Sequence, residues 1–166
     1  MKVIDNFLER NQFQLLSDTL MGNEFPWYYN SDSIYGTSLN KKSIPLFAHR
    51  FFHDGVYYKP FDIVEPCLRK LKMKELIRIK ANLNMKTLFT RNIGWHVDFE
   101  PPYTKDQKTA ILYINDNNGY TRVKGYGKVK SVANRIVIFD PHIPHAGYTC
   151  TNEKTRVMVN FNYVQS

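Results

Sequence analysis

The stretch RNIGWHVDFEPPY, residues 91–103, sets His96 and Asp98 two positions apart, behind a tryptophan and ahead of a double proline. In an extended strand, side chains at i and i+2 leave from the same face, about 7 Å apart at their Cα atoms. An imidazole and a carboxylate placed that way suit two ligands of one metal ion. They also suit a structural ion pair, so the rest of the chain has to decide.

Downstream, KTAILYIND (108–116) and NRIVIFD (134–140) are apolar runs of strand length, and KTRVMVNFNYV (154–164) alternates apolar and polar residues. NDNNGYT (115–121) carries the Asn-Gly signal of a tight hairpin. Upstream, Asp5 is a fitting N-cap for a helix over 6–21, with Phe7, Leu8, Phe13, Leu15, Leu16 and Leu20 at helical spacing before Gly22. A second helix is predicted over 61–74, lined by Val64, Cys67, Leu68 and Leu71. From Leu76 the period changes to two, with Ile77, Ile79, Ala81, Leu83 and Met85 alternating with polar residues, which predicts a strand. The aromatic segment 24–58 between the helices reads as short strands and loops. Helices followed by many short antiparallel strands predict an α+β fold, its C-terminal half a jelly-roll-like double sheet or barrel with the N-terminal helices packed on it. The whole chain, 1–166, reads as one domain, with 1–75 as helical and aromatic support and 76–166 as the β core.

Composition narrows the class. With 11 Tyr, 11 Phe and 2 Trp in 166 residues the chain can bury a real core, and no apolar run approaches membrane-span length. Acidic residues in MKVIDNFLERNQ and the lack of an apolar leader predict a cytoplasmic protein, in a host cytoplasm if the chain is phage-encoded. Cys67 and Cys150 sit in unrelated contexts and read as reduced, partly buried thiols. The net charge of +8 attracts polyanions. Its densest segment, LRKLKMKELIRIK (68–80), alternates with apolar residues as the solvated face of a helix running into a strand would. Nucleic acid is therefore disfavoured as a partner beside a small-molecule or peptide substrate. No oligomeric state is read from the sequence.

Three further residues bear on the opening pair. His145 follows the strand RIVIF, Arg156 lies eleven residues beyond it inside an apolar strand, and Tyr113 stands on the strand after the His96 segment. Two imidazoles and one carboxylate on a β scaffold form the facial triad that suits Fe(II) and leaves adjacent positions open. A 2-oxo acid can chelate at two of them, and dioxygen can take the last. The far carboxylate of such a co-substrate needs a strong partner, which a buried Arg156 supplies, and Tyr113 could add a hydroxyl. Alternation puts Met158, Asn160 and Asn162 on the face of Arg156.

The order His-x-Asp, a distant His, then Arg resembles the Fe(II)/2-oxoglutarate-dependent dioxygenases. WHVDFEPPYTKDQKTAILYINDNNGYT and VANRIVIFDPHIPHAGYTCTNEKTRVMVNFNY resemble more narrowly the prolyl-4-hydroxylase-like branch and its short bacterial and phage members, over about residues 77–164. The resemblance implies a double-stranded β-helix, Fe(II) on His96, Asp98 and His145, and 2-oxoglutarate on Arg156 and Tyr113. It implies that 2-oxoglutarate and O2 are consumed, with succinate and CO2 released as a C–H bond is hydroxylated, a prolyl residue or free proline being the suggested substrate. Asp98 argues against the halogenase variant, which lacks the carboxylate. Asn162, where DNA-repair members carry a second arginine, argues against demethylation.

Other readings stand beside this one. Asn82 and Asn84 are alternatives for an upstream co-substrate contact. His142 reads as a surface or supporting residue, and His49 with His53 as structural or surface histidines. Trp95 and the loop EPPYTKDQ (100–107) read either as a gate or, for Trp95, as core. In function, a cupin-like metal enzyme without 2-oxoglutarate and a non-catalytic jelly-roll binding or virion module are the alternatives.

Overall fold

The computed structural model describes residues 1–31, 44–99, 102 and 104–166. Its elements are β1 (Lys2–Ile4), α1 (Arg10–Met21), β2 (Tyr28–Asn30), β3 (Leu46–His53), β4 (Val56–Tyr57), a 3-10 turn (Asp62–Val64), α2 (Glu65–Leu71), β5 (Met73–Met85) and β6 (Asn92–His96). Then follow β7 (Gln107–Tyr113), β8 (Tyr120–Val123), β9 (Gly127–Lys130), β10 (Ile136–Phe139), β11 (His145–Tyr148) and β12 (Thr155–Gln165). Among the described residues the large sheet runs β1-β10-β7-β12-β5-β3-β2, with β4 on β3, and the small sheet runs β6-β11-β8-β9. The strand pairings are antiparallel.

Strand alternation sorts the side chains of the large sheet. One face, with Ile79, Ala81, Leu112, Val157, Val159 and Phe161, packs on Leu16 and Leu20 of α1 and on Cys67 and Leu71 of α2. Each buried Ile, Leu, Val or Phe side chain of this set contributes about 1.5–3 kcal/mol relative to exposure. The other face meets the small sheet across a second cluster: Ile111, Tyr113, Val137, Phe139 and Met158 against Val123 and Val129. Two sheets face to face with helices behind the larger make the α+β double-stranded β-helix expected from the sequence.

Several local expectations change. Helix α1 begins at Arg10, not residue 6, because the chain before it is bonded elsewhere. The Asn134 side chain accepts from Leu8 N–H and donates to Leu8 C=O, both at 2.8 Å. Asp5 is no N-cap; its carboxylate pairs with Arg135. The second helix is a 3-10 turn and a short α2, ended by the left-handed Lys72 (φ 51°), so β5 starts at Met73. NDNNGYT is not a hairpin, since β7 and β8 lie in different sheets and the segment crosses between them. Gly119 is required there by crowding, since a Cβ would sit 2.6 Å from Cδ of Arg156. The N-terminal part adds strands at both edges of the large sheet besides packing helices on it.

The basic segment 68–80 is not solvated throughout. Arg78 and Lys80 of β5 point to the inner face, and Lys80 is 9% exposed. Trp95 is half-buried and outside both apolar clusters. Of the loop 100–107, Glu100, Pro101 and Tyr103 lie outside the described residues. Cys67 and Cys150 are both buried free thiols. Among the described residues no helix is long and apolar enough to cross a membrane.

Candidate metal centre

Strands β6 and β11 of the small sheet pair in register at His96 and His145, which brings the imidazoles to a 4.3 Å centroid separation. Asp98 follows β6, its N–H donating to the Pro141 carbonyl at 3.2 Å. His96 Nε2 lies 3.9 Å from Asp98 Oδ1, and His145 Nε2 lies 3.9 Å from Asp98 Oδ2. One ligand atom from each residue falls within 4.8 Å of the other two.

Which atoms carry protons follows from the outer contacts. His96 Nδ1 faces the Gly94 carbonyl at 3.3 Å and His145 Nδ1 faces the Ile143 carbonyl at 3.1 Å. A carbonyl can only accept, so each Nδ1 holds a proton and Nε2 is the nitrogen that the neutral ring offers a metal. Burial, together with His145, pushes the His96 pKa down to about 4, so this ring is neutral at pH 7. His145 Nε2 is buried without a hydrogen-bond partner. Two imidazole Nε2 atoms and a carboxylate thus face one another, an arrangement a metal cation completes.

Asp98 is held by three donors. Arg78 Nη2 donates to Oδ1 at 3.1 Å, while Thr109 Oγ1 and Asn162 Nδ2 donate to Oδ2 at 2.7 and 2.9 Å. Asn162 is fixed in turn by Arg78 Nε, which donates to its Oδ1 at 2.9 Å. Burial works to raise the Asp98 carboxyl, but His145, Arg78 and His96 and the Thr109 hydroxyl hold it well below the usual carboxylate range. Alternation had placed Asn162 on the face of Arg156; Arg78 and Thr109 were missed. Their signal was parity, since Arg78 is in step with Asn82 and Asn84, and Thr109 with Tyr113.

The cavity beside these residues, about 140 Å³, is lined by Arg78, Lys80, Asn82 and Asn84 of β5 and by Arg156, Met158 and Asn160 of β12, among others. Arg156 is 0% exposed. It donates from Nε to Ser131 Oγ at 2.8 Å, from Nη2 to Thr121 Oγ1 at 3.0 Å and from Nη1 toward Met158 Sδ at 3.0 Å. These partners are uncharged, and burial lowers the pKa of the guanidinium. Burying such a charge without an anion is costly, so a carboxylate entering the cavity fits it. Gly147 keeps the approach open, since a Cβ there would lie 3.0 Å from Ile93 Cδ1 and 3.5 Å from Arg156 Nη1. Asn82 Oδ1 and Asn84 Nδ2 are both buried without partners, and both residues line the cavity. The residues present therefore fit a divalent metal with a dicarboxylic acid.

Tyr113 stands behind Arg156, its ring 5.5 Å from Cζ, and is not among the residues lining the cavity. Its hydroxyl lies beside Thr121 and Arg156 without a hydrogen bond of good geometry, and burial raises its pKa. His142 is exposed. His49 is wedged among Phe25, Tyr28 and Phe51, and His53 pairs with Asp54 at 3.1 Å.

No protein-family model matches this sequence, and no curated protein matches it. Solved structures do match its fold. A prolyl-4-hydroxylase from Pseudomonas putida superposes with a TM-score of 0.65 at 13% identity, covering 99% of this chain and 92% of that one. The viral collagen prolyl hydroxylase from Paramecium bursaria Chlorella virus-1 gives 0.58 at 14% identity, covering 99% and 90%. An oxidoreductase of the 2OG-Fe(II) oxygenase family from Burkholderia pseudomallei gives 0.64 at 10% identity, covering 99% and 84%. The chain shares, over nearly its whole length, the fold of 2-oxoglutarate/Fe(II) oxygenases of the prolyl-hydroxylase type.

Proposed function

We propose that this chain, acting over residues 1–166 as one domain, is an Fe(II)- and 2-oxoglutarate-dependent oxygenase. The observation that carries this is a single cavity holding both three converging acceptor atoms and a buried guanidinium whose hydrogen-bond partners are all uncharged. When bound, Fe(II), 2-oxoglutarate and O2 supply the oxidising chemistry, yielding succinate and CO2 as a substrate C–H bond becomes C–OH.

The protein's own part is placement. His96, Asp98 and His145 are the metal ligands, and their Nδ1–carbonyl contacts keep both imidazoles in the ligating tautomer. Arg78, Thr109 and Asn162 keep Asp98 ionised and fix its orientation. Arg156 receives the far carboxylate of 2-oxoglutarate, with Thr121 and Ser131 steering its nitrogens and Tyr113 backing the guanidinium. Asn82 or Asn84 supplies a further amide contact. A cupin-like metal enzyme has no use for Arg156, and a binding module has no reason to converge the three acceptors. The fold likeness makes prolyl peptides and free proline the first substrates to try, and the cytoplasm, where Cys67 and Cys150 stay reduced, is the setting.

The test is succinate release from 2-oxoglutarate by the Fe(II)-loaded protein. Release that disappears in His145→Ala and in Asp98→Ala, with both variants folded, supports the proposal. Release unaffected by either variant, or none under any loading, overturns it.

A further inference from the structure

The basic run 68–80 argues against a nucleic-acid partner, but a second run does not. YTRVKGYGKVK, residues 120–130, carries Arg122, Lys124, Lys128 and Lys130 and no carboxylate. It forms β8, a turn and β9, at one edge of the small sheet. Thr121, Val123 and Val129 are 2%, 1% and 4% exposed and face inward, the two valines within the second apolar cluster. Alternation therefore turns Tyr120, Arg122, Lys128 and Lys130 to the outer face, where the three cations are exposed. The register agrees, since Tyr120 pairs with Lys130 and Arg122 with Lys128. On the neighbouring strand β11, Tyr148 pairs with Tyr120 and joins that face.

Aromatic rings interleave with these cations. Tyr120 and Tyr148 stack with centroids 4.4 Å apart and planes 13° from parallel. Lys128 Nζ lies 3.9 Å from the Tyr120 centroid, which holds the amine against the ring. At the turn, Tyr126 is 53% exposed between Gly125 and Gly127, both at positive φ, 80° and 94°. Its N–H donates to the Val123 carbonyl at 3.1 Å, so the turn is closed and the ring is presented outside it. Asp116 and Glu153 line a shallow cavity with Lys128 and Lys130, but neither carboxylate comes within 4.0 Å of either amine. Lys128 and Lys130, two apart on an extended strand, stand about 7 Å apart at Cα, close to the spacing of successive phosphates along an extended nucleic-acid strand. Cations in a row beside exposed rings serve both parts of such a strand, its phosphates and its unstacked bases. An acidic peptide, or a duplex whose bases stay stacked on one another, would use the cations and leave the rings idle.

We infer that the outer face of β8, β9 and β11 docks single-stranded nucleic acid, with Arg122, Lys128 and Lys130 taking phosphates and Tyr126 taking a base. The face is the reverse of the wall that turns Thr121 and His145 toward the metal centre, so a docked strand does not enter the cavity. The inference goes beyond the oxygenase reading and does not depend on it.

The experiment is fluorescence anisotropy of a labelled oligothymidylate of about 12 nucleotides, titrated with the full chain at increasing salt. Competitors are the same strand in a duplex, a polyglutamate peptide, and vesicles of phosphatidylserine with phosphatidylcholine. The single strand is expected to bind tightest, its log affinity falling by about 2 per tenfold rise in salt, as three cations on a single strand give. Arg122→Gln, Lys128→Gln and Lys130→Gln combined should weaken it at least about tenfold and flatten that slope. Tyr126→Ser should weaken it about tenfold and leave the slope unchanged. A control with Arg69→Gln, Lys72→Gln and Lys74→Gln removes the same charge from exposed positions on α2 and β5 and should bind as the parent does. Thermal unfolding of each variant checks that it is folded. An equal loss in the control would reduce the binding to net charge and overturn the inference. So would no binding at low salt, a combined variant as tight as the parent, an unmoved affinity in Tyr126→Ser, or tighter binding of the duplex, the peptide or the vesicles.

Discussion

Strands β5 and β12 carry two proteins' worth of chemistry on opposite faces. Toward the helices they present Ile79, Ala81, Val157, Val159 and Phe161, all 0% exposed, in a dry core. Toward the small sheet the intervening positions are Arg78, Lys80, Asn82 and Asn84 of β5 with Arg156, Met158 and Asn160 of β12, around a cavity. Register fixes the division, with Arg156 opposite Asn84 and Met158 opposite Asn82. A slip by one residue would exchange the faces, so the apolar core specifies the position of the polar site. The first face stabilises the fold, and the second spends stability on buried charge.

Substitutions at neighbouring positions should separate the two. Phe161→Ala is expected to cost about 3–5 kcal/mol in denaturant unfolding through the cavity it leaves, with metal affinity per folded molecule unchanged. An equal loss of metal affinity would mean that the faces are not separable. Arg156→Met should act oppositely, leaving stability the same or higher while weakening 2-oxoglutarate by about 2–5 kcal/mol, read as the concentration needed for half-maximal binding.

Lys80→Met sharpens the same contrast through pH. Burial, Arg78 and Arg50 lower the Lys80 pKa to about 8 against an ordinary 10.5. The unfolded chain then binds this proton more tightly, so the penalty is fully present below about pH 8 and is relieved as pH rises toward 10.5. The wild type should gain stability across that window, by at most about 3 kcal/mol, and Lys80→Met should lack this gain in unfolding curves at pH 7.5 and 10. Asn162→Ala should have the smallest effect, weakening metal binding about 10–100-fold with little change in stability. A stability loss without change in metal affinity would make Asn162 a core residue instead.

The two faces were not equally legible. Alternation in KTRVMVNFNYV placed Arg156 with Asn160 and Asn162 opposite the apolar set, because period-two patterning survives whatever the sheet packs against. Reading β5 by its apolar residues alone left Arg78 and Lys80 as solvated, although parity set them beside Asn82 and Asn84. The donors to Asp98 come from β5, β7 and β12, so their meeting depends on strand order, which no local pattern encodes. Asn-Gly at 118–119 misled for a related reason. Its glycine answers to the crowded Arg156 side chain, a contact across the fold, and not to a turn. Likewise the delayed start of α1 reflects Asn134, more than a hundred residues away, which bonds the backbone of Leu8.

An anaerobic titration of the protein with Fe(II) and 2-oxoglutarate, followed by visible absorption, probes the pairing of metal centre and guanidinium without needing the prime substrate. The expected result is a weak charge-transfer band that forms only when both are added, vanishes in His145→Ala and shifts to higher 2-oxoglutarate concentration in Arg156→Met. A folded protein that gives no band, or a band indifferent to both substitutions, would contradict it.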